Sequence, residues 1–267
     1  MEATINGGII YFVETGERGR LPVLFVHGFP FSSAMWDSQM EAVGRRCRAI
    51  ACDIRGLGRS EVGDGQYTIE GHVDDLIGLL DRLEIDKTVV VGLSMGGYIA
   101  LRTLERNPER FLAAVLCDTR AEADDNAGKL KRANGAASVK RHGAAAFAES
   151  FLPAVFAPES LRTKPEAVKL IKSIIAATPP LAIAGHLIAM AGRTDTTASL
   201  AAIGVPTLIM VGENDTLTPP ALARAMHERI PGSKLYLVPG AGHMSNLENP
   251  EFFNSRLLEF LEGIAGG

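Results

Sequence analysis

The chemistry this 267-residue chain could perform turns on a serine set between two glycines. Ser94 stands in the run Gly92-Leu93-Ser94-Met95-Gly96, directly after three valines and directly before a helical pattern. A serine hydroxyl is a poor nucleophile until a base takes its proton. A sharp turn after a strand lifts that hydroxyl to the top of a sheet. The crowding at such a turn requires small neighbours, which Gly92 and Gly96 supply. The helix that follows aims its N-terminus at the reacting centre, so the Met95 amide is expected to donate to a developing oxyanion, with the helix dipole behind it. A G-x-S-x-G run also arises by chance, and it is the strand, turn and helix around this one that point to function.

A nucleophilic serine needs a base, and six histidines are available: 27, 72, 142, 186, 227 and 243. His72 and His227 fall in amphipathic helical patterns, where a solvated face is the expectation. His142 and His186 lie in a stretch without strands. His27 ends a strand but precedes a loop with another task. His243, in "VPGAGHMSNLENP", follows the last strand pattern in a glycine-rich loop. That places it at the carboxyl edge of the sheet with Ser94, and it is the expected base. An acid must orient it. Asp215, in "MVGENDTLTPP" just past another strand, is expected to do so, while Asp118 and Glu213, also at strand ends, stay open as alternatives. The second oxyanion donor is expected from "HGFPFSSAMW". There Gly28 permits close approach and the Phe29 amide faces the cleft, while Pro30 has no amide hydrogen. Trp36 is expected to pack in the core.

The elements that position these residues read as alternating strands and helices. The opening "TINGGIIYFVET" predicts a hairpin turning at Asn6-Gly7. Short apolar runs at 22–28, 48–53, 88–92, 111–118, 206–212 and 233–240 lack polar alternation, as expected of parallel strands covered on both faces. Helical patterns occupy 69–84, 219–231 and the C-terminal segment. In the first of these Ile69, Val73, Leu76, Ile77, Leu80 and Leu83 form the apolar face. The fold expected is α/β, with a mostly parallel sheet flanked by helices. The alternation fails between 119 and 204, which is rich in alanine and helix formers, with proline breaks at 153, 158, 165 and 179. The chain therefore divides into a core, 1–118 and 205–267, and a helical cap, 119–204, roofing the carboxyl ends of the strands. Leu181, Leu187 and Met190 of the cap, with Leu217 and Met244 of the core, are expected to line an apolar substrate pocket. Arg120 or Arg193 would suit an acidic substrate.

Composition sets the outer bounds. The chain is 46% hydrophobic and 22% charged, with net charge −4 and pI about 5.9. That balance, with no basic run, argues against nucleic acid as a partner. No signal peptide is read at the N-terminus. The most apolar stretch, 174–192, is split by Pro179-Pro180, so no membrane span is expected. Cys47, Cys52 and Cys117 lack metal-ligand spacing and read as reduced, buried thiols of a cytoplasmic protein. Neither metal nor organic cofactor is expected.

Taken together, "HGFP", "DIRGLGRS" (53–60), "GLSMGG", "GENDTLTP" and "GAGHMSNLENP" give the sequence a resemblance to the α/β-hydrolase superfamily over almost its whole length. The order Ser94, Asp215, His243 is that superfamily's order. Within it the chain is similar to small bacterial carboxylesterases and 3-oxoadipate enol-lactone hydrolases. The resemblance implies a serine hydrolase that cleaves small esters or lactones through an acyl-enzyme. In the superfamily the D-x-R-G-x-G-x-S stretch shapes a loop, so Asp53, Arg55 and Ser60 stay outside the expected site. Relatives with the same elbow are cofactor-free perhydrolases or haloperoxidases, and carbon–carbon bond hydrolases share the triad. The fold also serves as a non-catalytic ligand-binding module, against which an intact triad argues.

Overall fold

The computed structural model describes residues 1–266. The chain opens with β1 (Glu2–Ile5) and β2 (Gly8–Thr15), an antiparallel hairpin. Asn6 and Gly7 at its turn have φ of 47° and 78°, the left-handed pair that a two-residue hairpin turn requires. Then come β3 (Pro22–Val26), α1 (Asp37–Gly44), β4 (Arg48–Cys52), α2 (Ile69–Arg82), β5 (Thr88–Leu93), α3 (Met95–Arg106) and β6 (Phe111–Cys117). Four helices follow without a strand: α4 (Asn126–Val155), α5 (Pro158–Thr163), α6 (Pro165–Ala177) and α7 (Pro180–Ala191). The chain closes with β7 (Thr207–Gly212), α8 (Pro220–Arg229), β8 (Lys234–Val238), α9 (Ser245–Glu248) and α10 (Pro250–Ala265).

The eight strands form one sheet in the order β1-β2-β4-β3-β5-β6-β7-β8. Pairing is parallel from β4 to β8 and antiparallel only at the β1–β2–β4 edge. The non-alternating apolar runs have their physical cause here: every residue of β4, β5 and β7 is buried, because helices cover both faces. Trp36 is fully buried, with its ring centroid 5.2 Å from that of Phe25 and 6.3 Å from that of Phe253. The three cysteines are free and buried.

Two sequence expectations shift. The break within 126–155 falls at Gly143, whose φ of 83° and ψ of 169° leave the helical region, and not at Pro153, which sits inside the last turns of α4. Only glycine adopts such angles readily. The buried face of α2 includes His72, Asp75 and Leu79, with Ile77 and Leu83 only partly covered. His72 is therefore not on a solvated face. Its ring lies nearly parallel to that of His186, 5.1 Å away, and both stack with Tyr67. Burial pushes the His186 imidazole down to about 4 and His72 well below the usual value, so both are neutral near pH 7. Among the described residues no single helix is long and apolar enough to cross a membrane; α6 and α7, the most apolar pair, meet at a bend of 98°.

Candidate active site

Ser94 sits on the turn between β5 and α3 with φ 56° and ψ −115°, angles that non-glycine residues rarely adopt. Its neighbours show why the turn demands glycine. A Cβ on Gly92 would stand 2.3 Å from the Gly96 carbonyl oxygen, and one on Gly96 would stand 2.1 Å from that of Val26. The Ser94 amide donates to the Cys117 carbonyl at 2.9 Å, and the Thr119 hydroxyl donates to the Ser94 carbonyl at 2.8 Å. Strain at Ser94 is thus held from both sides by the end of β6.

His243 and Asp215 meet at the same edge. The imidazole Nδ1 lies 2.7 Å from Asp215 Oδ2, both residues being buried. The Thr218 hydroxyl donates to the same oxygen at 2.6 Å, while Oδ1 accepts the amides of Leu217 and Thr218 at 2.8 and 3.0 Å. Burial raises the Asp215 carboxyl, but the His243 charge and these hydrogen bonds outweigh it and hold it below its ordinary value. Burial likewise pulls His243 down, and Asp215, with Asp118 and Glu248 behind it, outweighs that and holds it above its ordinary value. With Nδ1–H given to Asp215, Nε2 carries the lone pair, so the ring can accept a proton there. Of the two other acids considered, exposed Glu213 accepts the Gly240 amide at 3.2 Å. Asp118 accepts the Gly212 amide at 2.8 Å and the Ser245 hydroxyl. Neither is bonded to the imidazole.

Ser94 and His243 open on one cavity of about 450 Å³, together with Phe29, Thr218 and Leu217 from the strand ends and Leu187 and Met190 from α7. The Phe29 amide has no protein acceptor among the described residues. Met95 is the first residue of α3, where amides lack an intrahelical acceptor. The His27 ring braces the loop between them: Nδ1 donates to the Gly28 carbonyl at 2.8 Å, and Nε2 accepts the Ile54 amide at 3.0 Å.

Two expected pocket residues are placed elsewhere. Leu181 is half-exposed and lines a second, larger cavity of about 950 Å³ on the other face of the α4–α7 pair. Met244 is fully buried and lines neither cavity. In their place α4 contributes Lys131, Arg132, Phe147 and Phe151, and the Phe29 ring packs edge-on against both phenylalanines. Arg120 also lines the Ser94 cavity. Among the described residues that line this cavity the only carboxylate is Asp124, which is itself bound by Arg120, Arg132 and, at 3.0 Å, Arg193. Arg193 is buried and stacked on Tyr98, so it braces Asp124 from behind. A chain of net charge −4 thus places its nucleophile candidate in a positively charged cavity.

Three polar residues that sequence reasoning passed over organise this edge. Thr218 fixes Asp215, as described. Glu248 accepts the amides of Gly242 and Met244 with Oε1, at 2.9 and 3.1 Å, and that of Ala157 with Oε2, at 2.9 Å. Ser245 donates to Asp118. The "LENP" spacing after His243 was the one signal for Glu248. No group of three or more His, Cys, Asp or Glu among the described residues is arranged to hold a metal ion.

Comparisons with known proteins agree with this architecture. The chain is 28% identical over 239 residues to 3-oxoadipate enol-lactonase 2 of Acinetobacter baylyi, covering 90% of this chain and 88% of that protein. Its fold superposes on a thermophilic esterase from Thermogutta terrifontis, solved with malate bound, at a TM-score of 0.95 and 36% identity, covering 99% and 98% of the two chains. A bromoperoxidase from Bacillus anthracis is also similar, at a TM-score of 0.87 and 27% identity over 98% and 99%. The profile of the alpha/beta hydrolase fold family matches residues 22–250, and the chain belongs to that family.

Proposed function

We propose that the protein hydrolyses small carboxylic esters or lactones through an acyl-enzyme on Ser94, with a preference for substrates that carry a carboxylate. The observation that carries the reading is the buried Asp215–His243 pair opening on the same cavity as a serine held at a strained turn. In this mechanism Ser94 Oγ attacks the carbonyl carbon while His243 Nε2 takes its proton. The amides of Phe29 and Met95 receive the oxyanion. His243 then protonates the leaving alcohol, and water activated by the same ring releases the acid. Asp215 fixes the tautomer and stabilises the imidazolium. The chemistry needs no cofactor.

Substrate class follows from the cavity walls. Phe29, Phe147, Phe151, Leu187 and Met190 suit a compact apolar portion, and Arg120, Lys131 and Arg132 suit an anionic one. The likeness to an esterase solved with malate bound and to a 3-oxoadipate enol-lactonase supports that preference. Residues 119–204 would then act as a cap that selects the substrate. Perhydrolysis on the same serine is the second reading, favoured by the likeness to a bromoperoxidase. It predicts peracid formation from acetate and peroxide. The test is Ser94→Ala. Loss of turnover of an aryl ester by on the order of 10⁶, with unfolding unchanged, is expected; near-native turnover would refute the mechanism.

A further inference from the structure

The stretch Cys117-Asp118-Thr119, at the exit of β6, touches the carriers of Ser94, Asp215 and His243, though none of its three residues lines the Ser94 cavity. The Cys117 carbonyl accepts the Ser94 amide at 2.9 Å, and the Thr119 hydroxyl donates to the Ser94 carbonyl at 2.8 Å. Between them, Asp118 Oδ1 accepts the amide of Gly212, three residues before Asp215, at 2.8 Å. Asp118 Oδ2 accepts the hydroxyl of Ser245, two residues after His243. The Asp118 amide itself donates to Met210 in β7 at 2.9 Å. Asp118 has φ 45°, a left-handed angle uncommon outside glycine. With that turn, its neighbours face Ser94 while its carboxylate faces the other two loops.

An acid is a costly choice at this position. Asp118 is fully buried and pairs with no lysine or arginine among the described residues. Burial, with Asp215 nearby, pushes the Asp118 carboxyl well above its ordinary range despite the His243 charge and the hydrogen bonds from Ser245 and Gly212, so an acid at this position costs folding energy. We propose that Asp118 is a positioning residue: its carboxylate locks the His243 loop to the strand end that carries Asp215, and its flanking residues lock both to the Ser94 turn. The inference rests on the reading of Ser94 and His243 as the reacting pair, and it adds a residue outside the triad that sets their mutual register. Misplacement of a reacting group by about 1 Å costs on the order of 10²-fold in rate.

The test compares purified Asp118→Ala, Asp118→Asn and Ser245→Ala on an aryl acetate, with Ser94→Ala in parallel and thermal unfolding of each. Asp118→Ala is expected to lose about 10²-fold in kcat, with KM within about two-fold. Asparagine keeps an acceptor for the Gly212 amide and offers a donor to Ser245 Oγ, so Asp118→Asn should recover about ten-fold of that loss. Ser245→Ala should show a smaller fall, again in kcat. A folded Asp118→Ala with native kcat, or an Asn variant no better than Ala, overturns the inference. If Asp118→Ala does not fold, Ser245→Ala decides: a fall in kcat at constant KM supports the inference, and native kcat overturns it. Turnover by Ser94→Ala would overturn the underlying reading and this inference together. An inactive Ser94→Ala beside a fully active Asp118→Ala overturns this inference alone.

Discussion

The carboxyl edge of the sheet and the helices between β6 and β7 enclose one cavity with different means. At the sheet edge the candidate site side chains are fixed through main-chain groups. Asp215 holds two amides, Glu248 holds three, and Asp118 holds the end of β7. Each of these carboxylates is buried. The helical side lines the cavity mainly with side chains, Lys131, Arg132, Phe147 and Phe151 from an α4 interrupted at Gly143, and Leu187 and Met190 from α7, and reaches the sheet edge through one main-chain group, the Ala157 amide on Glu248. Substitution of these six side chains changes the wall without removing a hydrogen bond to Asp215, His243 or Ser94. On the proposed function, this division would assign rate to the sheet edge and choice of substrate to the helices.

That division can be broken at either end. The larger effect is expected at the sheet edge: Asp215→Asn should lower kcat on an aryl acetate by on the order of 10⁴, through loss of the correct His243 tautomer. Asp118→Asn should do far less, and the reverse ranking would mean that the orienting acid is Asp118. The same pair sets the pH profile. In the proposed mechanism only neutral His243 accepts the Ser94 proton, and Asp215 holds its pKa above the ordinary value. The acid limb of kcat/KM should therefore have its midpoint above about 6.5 and move to lower pH in Asp215→Asn.

On the helical side, Lys131→Met combined with Arg132→Met should lower kcat/KM for a carboxylate-bearing ester by about ten- to a hundred-fold, the worth of a charged hydrogen bond. A neutral ester of the same size should be turned over nearly as before. Equal losses on both substrates would mean that the cations support the fold and not selection. The smallest effect is steric. Leu187→Trp should shift kcat/KM across an acyl chain-length series by about ten-fold toward short chains. Leu181→Trp, on the far cavity, should leave the series unchanged; a matching shift there would erase the distinction between the two faces of α7.

The same contrast explains which parts were legible in the sequence. Strands covered on both faces appear as unbroken apolar runs, and a nucleophile turn has its own glycine spacing. The sheet and the neighbourhood of Ser94, His243 and Asp215 are therefore written locally. The cavity wall is not. Helix α7, "PLAIAGHLIAMA", is apolar on every side, so periodicity cannot choose the face that meets the site. Leu181 and Leu187 lie on different faces, and only packing against α4 decides which of them lines the Ser94 cavity. In α4 the departure at Gly143 resets the phase, which leaves Phe147 and Phe151 out of step with Lys131 and Arg132. His72 and His186 look like surface residues by type and are buried by mutual stacking, a contact 114 positions apart in the chain that no local window contains. Asp118, Glu213 and Asp215 all follow strands, and their separate destinies depend on which loop folds over them.

Glu248 has a consequence for protein engineering. One of its oxygens holds the amides on either side of His243, and the other holds Ala157, at the joint between α4 and α5. A Cβ on Gly242 would stand 2.5 Å from the Ala157 nitrogen, so the two segments meet backbone to backbone. The helices are therefore not a detachable module. A chimaera that transplants residues 119–204 from a relative must bring an amide to the position of Ala157, or it strands a buried carboxylate oxygen beside His243. Donor segments that keep the Ala157 amide in place should retain turnover of a small neutral aryl ester, while their own cavity-wall residues reset which larger substrates are preferred.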